Sequence, residues 1–277
     1  MILLDGKKVA ESVYQKVLLD ISLLPQVPKI SFVMVGDNPA SATYVRSKAK
    51  RCSALGIQSE TVPFPTDVDE TTVVSRIHSL NKAKDVHGIL VQLPLPPHLS
   101  RERVLSQIHP LKDVDALTTE NAGLLFQGTP RFVPCTPAGI MEILKFYQIG
   151  LSGLKALVLG RSEIVGKPLA QLLLQCNATV TCAHSKTRGL DEECTRSDIV
   201  VVAIGKPKFV GPQMIKQGAV VIDVGINRVE ENIVGDVDFV NVKDKVSAIT
   251  PVPGGVGPMT IAMLMKNLLL AASLQLK

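Results

Sequence analysis

One segment constrains the fold of this chain more than any other: Leu157 to Pro168, Leu-Val-Leu-Gly-Arg-Ser-Glu-Ile-Val-Gly-Lys-Pro. Its apolar run, Ala156 to Leu159, has the length of a buried strand and stops at Gly160. A helical pattern starts near Pro168. A strand, a glycine turn and a helix N-terminus together make a phosphate site, because free backbone N–H groups and the positive end of the helix dipole face the turn. The order Gly160-x-Ser162-x-x-x-Gly166-x-Pro168 departs from the common G-x-G-x-x-G dinucleotide fingerprint, with a serine at the second glycine position and one extra residue.

The rest of the chain alternates strands and helices. Helical spacing covers Val9 to Leu23, Ser41 to Leu55, Asp67 to Asn81 and Pro137 to Tyr147. Strands are expected at Ile30 to Val35, Thr61 to Phe64, Gly88 to Gln92, and then at 156–159, 178–182, 199–203 and 219–223. This alternation predicts an α/β protein of two α/β domains with a cleft between them, the second, which carries the glycine turn, a Rossmann-like nucleotide-binding domain. The last helix, beginning at Pro258, has no strand partner after it and is expected to pack back on the first domain. The expected boundaries are 1–136 plus 255–277 for the first domain and 137–254 for the second, which is thereby an insertion.

With 277 residues and 46% hydrophobic content, the chain can bury two ordinary cores. A net charge of +5, interspersed signs, 4% aromatic residues and no Trp argue against a nucleic-acid platform, but suit a polyanionic small molecule. Five cysteines occur with no C-x-x-C pair, so a reduced, cytoplasmic chain is expected. The N-terminus lacks a signal-peptide layout, and the apolar run Ile261 to Leu274, broken by Lys266 and Asn267, reads as too short to span a bilayer. No membrane partner is expected.

The strand after the glycine turn ends in His184-Ser185-Lys186-Thr187-Arg188, with no acid to bind a ribose 2′-hydroxyl. With Arg161 in the turn, this basic ending favours NADP over NAD. Ala203 to Pro207, after the next strand, occupies the place of a nicotinamide wall. In the first domain, Tyr44 and Lys48 stand four residues apart and share a helix face. Gln92 ends a buried strand and opens Leu93-Pro94-Leu95-Pro96-Pro97, where an open α/β sheet meets its ligand crevice. Asp113 and Asp115 lie in a tight acidic turn. No third ligand accompanies them, and no metal is expected.

Taken together, Tyr44-x-x-x-Lys48, Gln92-Leu-Pro-Leu-Pro96, Lys112-Asp-Val-Asp115, Pro134-Cys-Thr-Pro137, the turn Gly160 to Pro168, His184-Ser185-x-Thr187, Val221 to Asn227, Gly235 to Phe239 and Thr250 to Thr260 closely resemble the bifunctional methylenetetrahydrofolate dehydrogenase/cyclohydrolase family. The resemblance runs in order from Tyr44 to Thr260. It implies that Lys48 is the catalytic lysine, that Tyr44 stacks on the aminobenzoyl ring, that Gln92 holds and tunes Lys48, and that Asp115 binds the pterin edge. Pro251, Pro253, Gly254 and Gly255 would line the folate site. Gly160, Arg161, Ser162, Gly166, Ser185 and Ile226 would contact NADP. A homodimer is implied, acting on a small-molecule folate, polyglutamylated forms included. The chain departs from the family pattern at Ala116, usually Gly, at Thr118-Thr119, usually His-Pro, and at Cys182-Ala183 before His184.

The implied chemistry suits these residue types. Hydride transfer needs two rings held face to face more than it needs acid–base help. The hydrolytic step needs a proton shuttle. An ordinary lysine, with a pKa of ~10.4, is a poor base near neutrality, and desolvation or a cationic neighbour improves it. Two rivals differ in the first domain. A two-domain NADP dehydrogenase of small acids has no use for the set Tyr44, Lys48, Gln92 and Asp115, and a nucleotide-sensing module is expected to lack the lysine.

Overall fold

The computed structural model of the chain describes residues 1–276. Its first half contains β1 (Ile2–Leu3), α1 (Gly6–Ile21), β2 (Lys29–Val35), α2 (Pro39–Ala54), β3 (Gln58–Phe64), α3 (Glu70–Lys82), β4 (Gly88–Val91), α4 (Arg101–Ser106), α5 (Thr119–Phe126) and α6 (Cys135–Phe146). Then follow β5 (Lys155–Leu159), α7 (Gly166–Gln175), β6 (Thr179–Ala183), α8 (Leu190–Arg196), β7 (Ile199–Val202) and β8 (Val220–Asp223). The last elements are β9 (Asn227–Val229), β10 (Asn232–Val234), α9 (Phe239–Val242), β11 (Ala248–Ile249) and α10 (Val256–Gln275). The long periodic helices and the buried strands lie where the sequence predicts them. The short elements β1, α4, α5, α8, β9, β10 and β11 carry too little periodicity to be read in advance.

The chain divides into two compact units, one around a three-stranded sheet and one around a six-stranded sheet. The three-stranded unit comprises Val13–Leu124, Pro130–Val133 and the chain from Leu264 onward. Its sheet is parallel, in the order β3-β2-β4. All of β4, Gly-Ile-Leu-Val, is buried although it ends the sheet order, its free side being covered by the Asp113 segment that pairs with Ile89. The edge strand β3 alternates exposed and partly buried positions and carries Pro63 and Glu60. A core of Val33, Val73, Ile77, Ile89, Val91, Val104 and neighbours fills one side of this sheet.

The second half of α10 belongs to this unit. Asn267 Nδ2 donates to the carbonyls of Val114 and Val133, both at 2.9 Å, and a side chain on Gly88 would collide with Leu268. The sequence reading sends the whole helix, from 255 onward, to the first domain, whereas Val256–Met263 lies with the six-stranded unit. The helix has 20 residues, so by length and composition it is long and apolar enough to cross a bilayer. The sequence reading underrated its length. Its apolar residues are used as core instead, with Met259, Met265, Leu268, Ala271 and Ala272 fully buried.

The six-stranded unit comprises Met1–Ser12, Leu125–Thr129 and Pro134–Met263. Its sheet is parallel throughout, in the order β1-β11-β8-β7-β5-β6. Counted from β5, the strands follow the doubly wound order 2-1-3-4-5, and the order reverses between β5 and β7. In such sheets ligands bind outside the C-terminal ends of the strands at that reversal. The N-terminus is the surprise. β1 pairs with β11, so Met1–Ser12 joins the second unit rather than the first. A two-residue strand leaves no periodic signature, and only the sheet edge awaiting a partner decides its place.

Candidate active site

The lysine site is built at the C-terminal end of β4. Asn38 caps α2, its side-chain oxygen accepting from Ala40 N at 3.0 Å and Ser41 N at 3.1 Å, and Pro39 occupies the first turn. The buried stripe of α2 is Ser41, Val45, Lys48 and Cys52. Lys48 therefore projects from the face that packs inward and is only 8% exposed, whereas Tyr44, one turn earlier, is 44% exposed. Gln92 continues β4 beyond its last strand residue, its N–H donating to Val33 O at 2.8 Å. Its amide is oriented at both ends. Nε2 donates to Leu93 O at 2.7 Å, which turns Oε1 toward Lys48, and Lys48 Nζ donates to that oxygen at 3.0 Å. The sequence-predicted pairing of Lys48 with Gln92 is present.

Asp115 follows a short bridge beside β4, where Ile89 pairs with Asp113 and Ile89 N donates to Lys112 O at 2.7 Å. The turn itself is held by Asp113, which accepts from Leu117 N, Thr118 N, Thr118 Oγ1 and Asn121 Nδ2 at 2.7–3.1 Å. Burial pushes the Asp113 carboxyl above the usual carboxylate range, against the pull of these four donors. Lys112 is buried too, its Nζ closing the end of α3 on the carbonyls of Leu80 and Ala83, and desolvation lowers its pKa. Asp113, read from sequence as a plain turn residue, is the organiser of the loop that presents the half-buried Asp115.

Two of the departures from the family pattern acquire reasons here. Ala116 takes φ = 57°, the left-handed region that favours glycine. Thr118 places both its N–H and its hydroxyl on Asp113 just before α5 begins, so it serves as the anchor of this turn.

The second group of residues lies at the strand ends of the six-stranded sheet. Gly160 follows β5 with φ = 132°, and a Cβ there would strike the carbonyl of Ala203, while one on Gly166 would strike the carbonyl of Gly160. Only hydrogen at these positions lets the turn close against β7 and against the start of α7. Ser162 Oγ accepts from Val165 N at 3.2 Å and Gly166 N at 3.4 Å, fixing the entry to α7. Arg161 stays exposed beside it. Gly160 N donates to Ala183 O at 2.9 Å, so the turn sits next to the end of β6. There His184 and Thr187 close a tight loop, His184 N donating to Thr187 Oγ1 at 2.9 Å, and leave Ser185, Lys186 and Arg188 exposed. An anion held at the α7 N-terminus thus has cationic and hydroxyl side chains on two adjoining loops. Ile226, after β8, is 51% exposed.

Pro251, Pro253, Gly254 and Gly255 lie between β11 and α10. The carbonyl of Gly254 accepts from Gly6 N at 2.9 Å, which seats this segment on the start of α1 within the six-stranded unit. Among the described residues no cluster of three or more His, Cys, Asp or Glu side chains could hold a metal ion.

A pair of acids escaped assignment from sequence. Asp223 ends β8 and is 3% exposed; Asp236, in the Gly235 to Phe239 motif, is fully buried. Asp223 accepts from the N–H groups of Gly225, Asp236 and Val237, each at 2.9 Å. Burial, with the charge of Asp236 in addition, pushes Asp223 up to about 6. The signal was present: an apolar strand that ends in an acid, followed by a Gly-Asp-Val-Asp run.

Comparison with known proteins covers both units. Residues 4–115 match the family described as tetrahydrofolate dehydrogenase/cyclohydrolase, catalytic domain, and residues 134–276 match its NAD(P)-binding domain. The "Bifunctional protein FolD" of Campylobacter hominis is 52% identical over 281 residues, spanning 100% of this chain and 99% of that protein. The crystal structure of the bifunctional enzyme FolD, a methylenetetrahydrofolate dehydrogenase/cyclohydrolase from Campylobacter jejuni, superposes with a TM-score of 0.97 at 44% identity, covering 99% of each chain. The Trypanosoma brucei methylenetetrahydrofolate dehydrogenase-cyclohydrolase, solved with NADP cofactor and an inhibitor, gives a TM-score of 0.95 at 38% identity over 99% of this chain and 97% of its own. Over its full length, the chain belongs to the tetrahydrofolate dehydrogenase/cyclohydrolase family and carries both the catalytic and the NAD(P)-binding domain of that bifunctional enzyme.

Proposed function

We propose that Lys48, Tyr44, Gln92 and Asp115 in the three-stranded unit, with NADP held by the six-stranded unit, carry both reactions of this bifunctional one-carbon folate enzyme. The first is oxidation of 5,10-methylenetetrahydrofolate to the 5,10-methenyl cation; the second is hydrolysis of that cation to 10-formyltetrahydrofolate. The observation that carries the reading is the hydrogen bond from Lys48 Nζ to Gln92 Oε1, with the amide pinned at its other end. A buried amine with a fixed direction is what a proton shuttle requires.

The residues at the ends of β5, β6 and β7 fit a dinucleotide phosphate. Gly160 and Gly166 keep the turn clear of side chains, and Arg161, Ser185, Lys186 and Arg188 supply donors where a 2′-phosphate would lie. Bound NADP supplies a hydride acceptor. Every other task falls to the chain. Tyr44 offers its exposed ring to the aminobenzoyl group, and Asp115 offers a carboxylate to the donors of the pterin edge. Pro251, Pro253, Gly254 and Gly255 contact the folate, and Ile226 the cofactor.

In the hydrolytic step water adds to the cationic carbon, and Lys48 takes the proton that the water loses. The added hydroxyl then gives up its remaining proton to N5 as the bond from that carbon to N5 breaks, which leaves the formyl C=O on N10, and Lys48 passes the first proton to solvent, so one proton is released overall. Neutral amine and positive substrate repel little, whereas an ammonium would disfavour the cation. The family resemblance further supports a cytoplasmic homodimer acting on polyglutamylated folates.

The test uses purified protein with 5,10-methylenetetrahydrofolate and NADP or NAD in parallel, then the methenyl compound alone. Folate-dependent reduction preferring NADP is expected. Lys48→Met is expected to abolish hydrolysis of the methenyl compound, and wild-type turnover in that variant removes Lys48 from the mechanism.

A further inference from the structure

The buried acids Asp223 and Asp236 join loops that the sequence leaves far apart. Asp236 Oδ2 accepts from Ile204 N at 2.7 Å and Gly205 N at 2.9 Å, the turn that follows β7. Its other oxygen, Oδ1, accepts from Asn227 Nδ2 at 2.8 Å, the residue next to Ile226 at the start of β9. Asp223 in turn holds Asp236 itself, through the Asp236 N–H, and holds Gly225 N and Val237 N as well. Its own N–H donates to Thr250 Oγ1 at 2.7 Å, at the root of the Pro251 to Gly255 segment. A side chain on either Gly225 or Gly235 would overlap these carboxylates, so the backbone is cut back to admit them.

Carboxylates are suited to this task. Each is an acceptor at both oxygens, with room for about four donors. Asp236 meets three donors from two loops, and Asp223 meets three from two loops. A serine cannot span them, and a lone asparagine has one acceptor oxygen. Yet neither acid reaches the surface, and the proposed mechanism gives neither a proton to move. Their loops are those at the ends of β7 and β8, next to the reversal in strand order where ligands of such sheets bind.

We infer that Asp236, held in place by Asp223, is a positioning residue for hydride transfer: it fixes the Ile204–Gly205 turn and the Ile226–Asn227 loop as the wall against which the nicotinamide ring lies. This rests on the reading that NADP binds at the strand ends of the six-stranded unit. The side-chain bonds of Asp236 go to the loops after β7 and β8 and not to Lys48 or Gln92, so the two activities of the full chain respond differently to its loss.

The experiment compares wild type, Asp236→Ala, and the exchange Asp236→Asn with Asn227→Asp. In the exchange, the new amide keeps its oxygen toward Ile204 and Gly205 and turns its NH2 to the new carboxylate, so all three hydrogen bonds survive. Dehydrogenase kcat and KM for NADP, cyclohydrolase rate on the methenyl compound, and thermal midpoint are measured on each. Asp236→Ala is expected to lose roughly 10–100-fold in dehydrogenase kcat, the effect of a reacting ring misplaced by about an ångström. Cyclohydrolase activity should stay within about two-fold, and the exchange should recover most of the dehydrogenase loss. Undiminished hydride transfer in Asp236→Ala overturns the inference. So does an equal fall of both activities, or an exchange that folds with a wild-type midpoint yet recovers nothing. If Asp236→Ala fails to fold, the exchange decides alone: wild-type hydride transfer supports the hydrogen-bond wall, and its loss in a folded protein refutes it. Wild type that hydrolyses the methenyl compound but reduces no NADP refutes the cofactor reading itself, and is told apart by that first measurement.

Discussion

Replacing Gln92 by Glu tests the lysine site most directly, because it keeps an acceptor oxygen toward Lys48 and adds a charge there, giving up only the Nε2 donor to Leu93 O. Gln92 Oε1 lies 3.0 Å from Lys48 Nζ, and Lys48 is 8% exposed, so a charge placed there acts with little screening. A carboxylate this close favours the ammonium form and raises an amine's pKa, typically by about 1–3 pH units. If Lys48 works as a neutral base, its active fraction at a given pH below its pKa falls tenfold per unit. Cyclohydrolase activity near neutrality should then drop roughly 10–1,000-fold. The sign is specific: the rising limb of the pH–rate profile moves to higher pH, and activity returns in alkaline buffer. Gln92→Met separates charge from hydrogen bonding. It removes one acceptor worth about 1.5–3 kcal/mol to a charged donor, lowers the rate through lost orientation, and adds no upward displacement of the limb. The assay is decay of the methenyl compound from pH 6 to 10. A Gln92→Glu profile that superposes on wild type refutes the claim that this contact sets the protonation of the catalytic group.

Three further outcomes follow from the six-stranded unit. Gly160→Ala forces a methyl group against the Ala203 carbonyl at a φ of 132°, and should cost about 1–3 kcal/mol in chemical denaturation while weakening NADP; retention of both stability and affinity would show that the turn yields. Arg161→Ala combined with Ser185→Ala should weaken NADP by roughly 10–100-fold and NAD far less, as expected for loss of charge-assisted hydrogen bonds to a phosphate, and equal weakening of both in titrations would remove these residues from 2′-phosphate recognition. Asp223, pushed up to about 6 in the fold against 3.8 for the model carboxyl, stabilises the folded state when protonated, and this contribution is lost as pH rises through about 6. Wild type should therefore lose about 2 kcal/mol of stability relative to Asp223→Asn between pH 4 and pH 7, and a difference independent of pH would place Asp223 among ordinary carboxylates.

Much of the architecture is legible without coordinates. The run Ala156–Leu159 into Gly160 marks β5 and its turn, since a buried parallel strand has to be apolar throughout and a tight turn over a phosphate has to be clear of side chains. Tyr44 and Lys48 share one helix face because four residues make about one turn, and the helical spacing of Ser41 to Leu55 marks most of α2. The uniform greasiness of the last helix requires that it be used as core, as Met259, Leu264 and Leu268 are. Asp113 resisted because an acid in a loop looks the same in sequence whether it is solvated or buried under four donors, and Asp223, though its strand-end position was visible, because its three donors come from loops beyond the strand. Ala116 was visible as a departure, but its left-handed backbone was not.

By itself, then, the sequence determined the local alternation of strand and helix, the glycine turn, and the pairing of residues a few positions apart, because these depend on interactions within one or two turns of chain. It also carried, through motifs spread from Tyr44 to Thr260, the family to which the chain belongs. Tertiary structure alone decided which edge β1 joins, that Gln92 turns its oxygen to Lys48, and that Asp223 and Asp236 bind the loops after β7 and β8 together. Those contacts link residues from 13 to 246 positions apart. Their free energy comes from satisfying buried polar groups that no neighbour in sequence can reach, and that requirement arises only once the chain has closed around them.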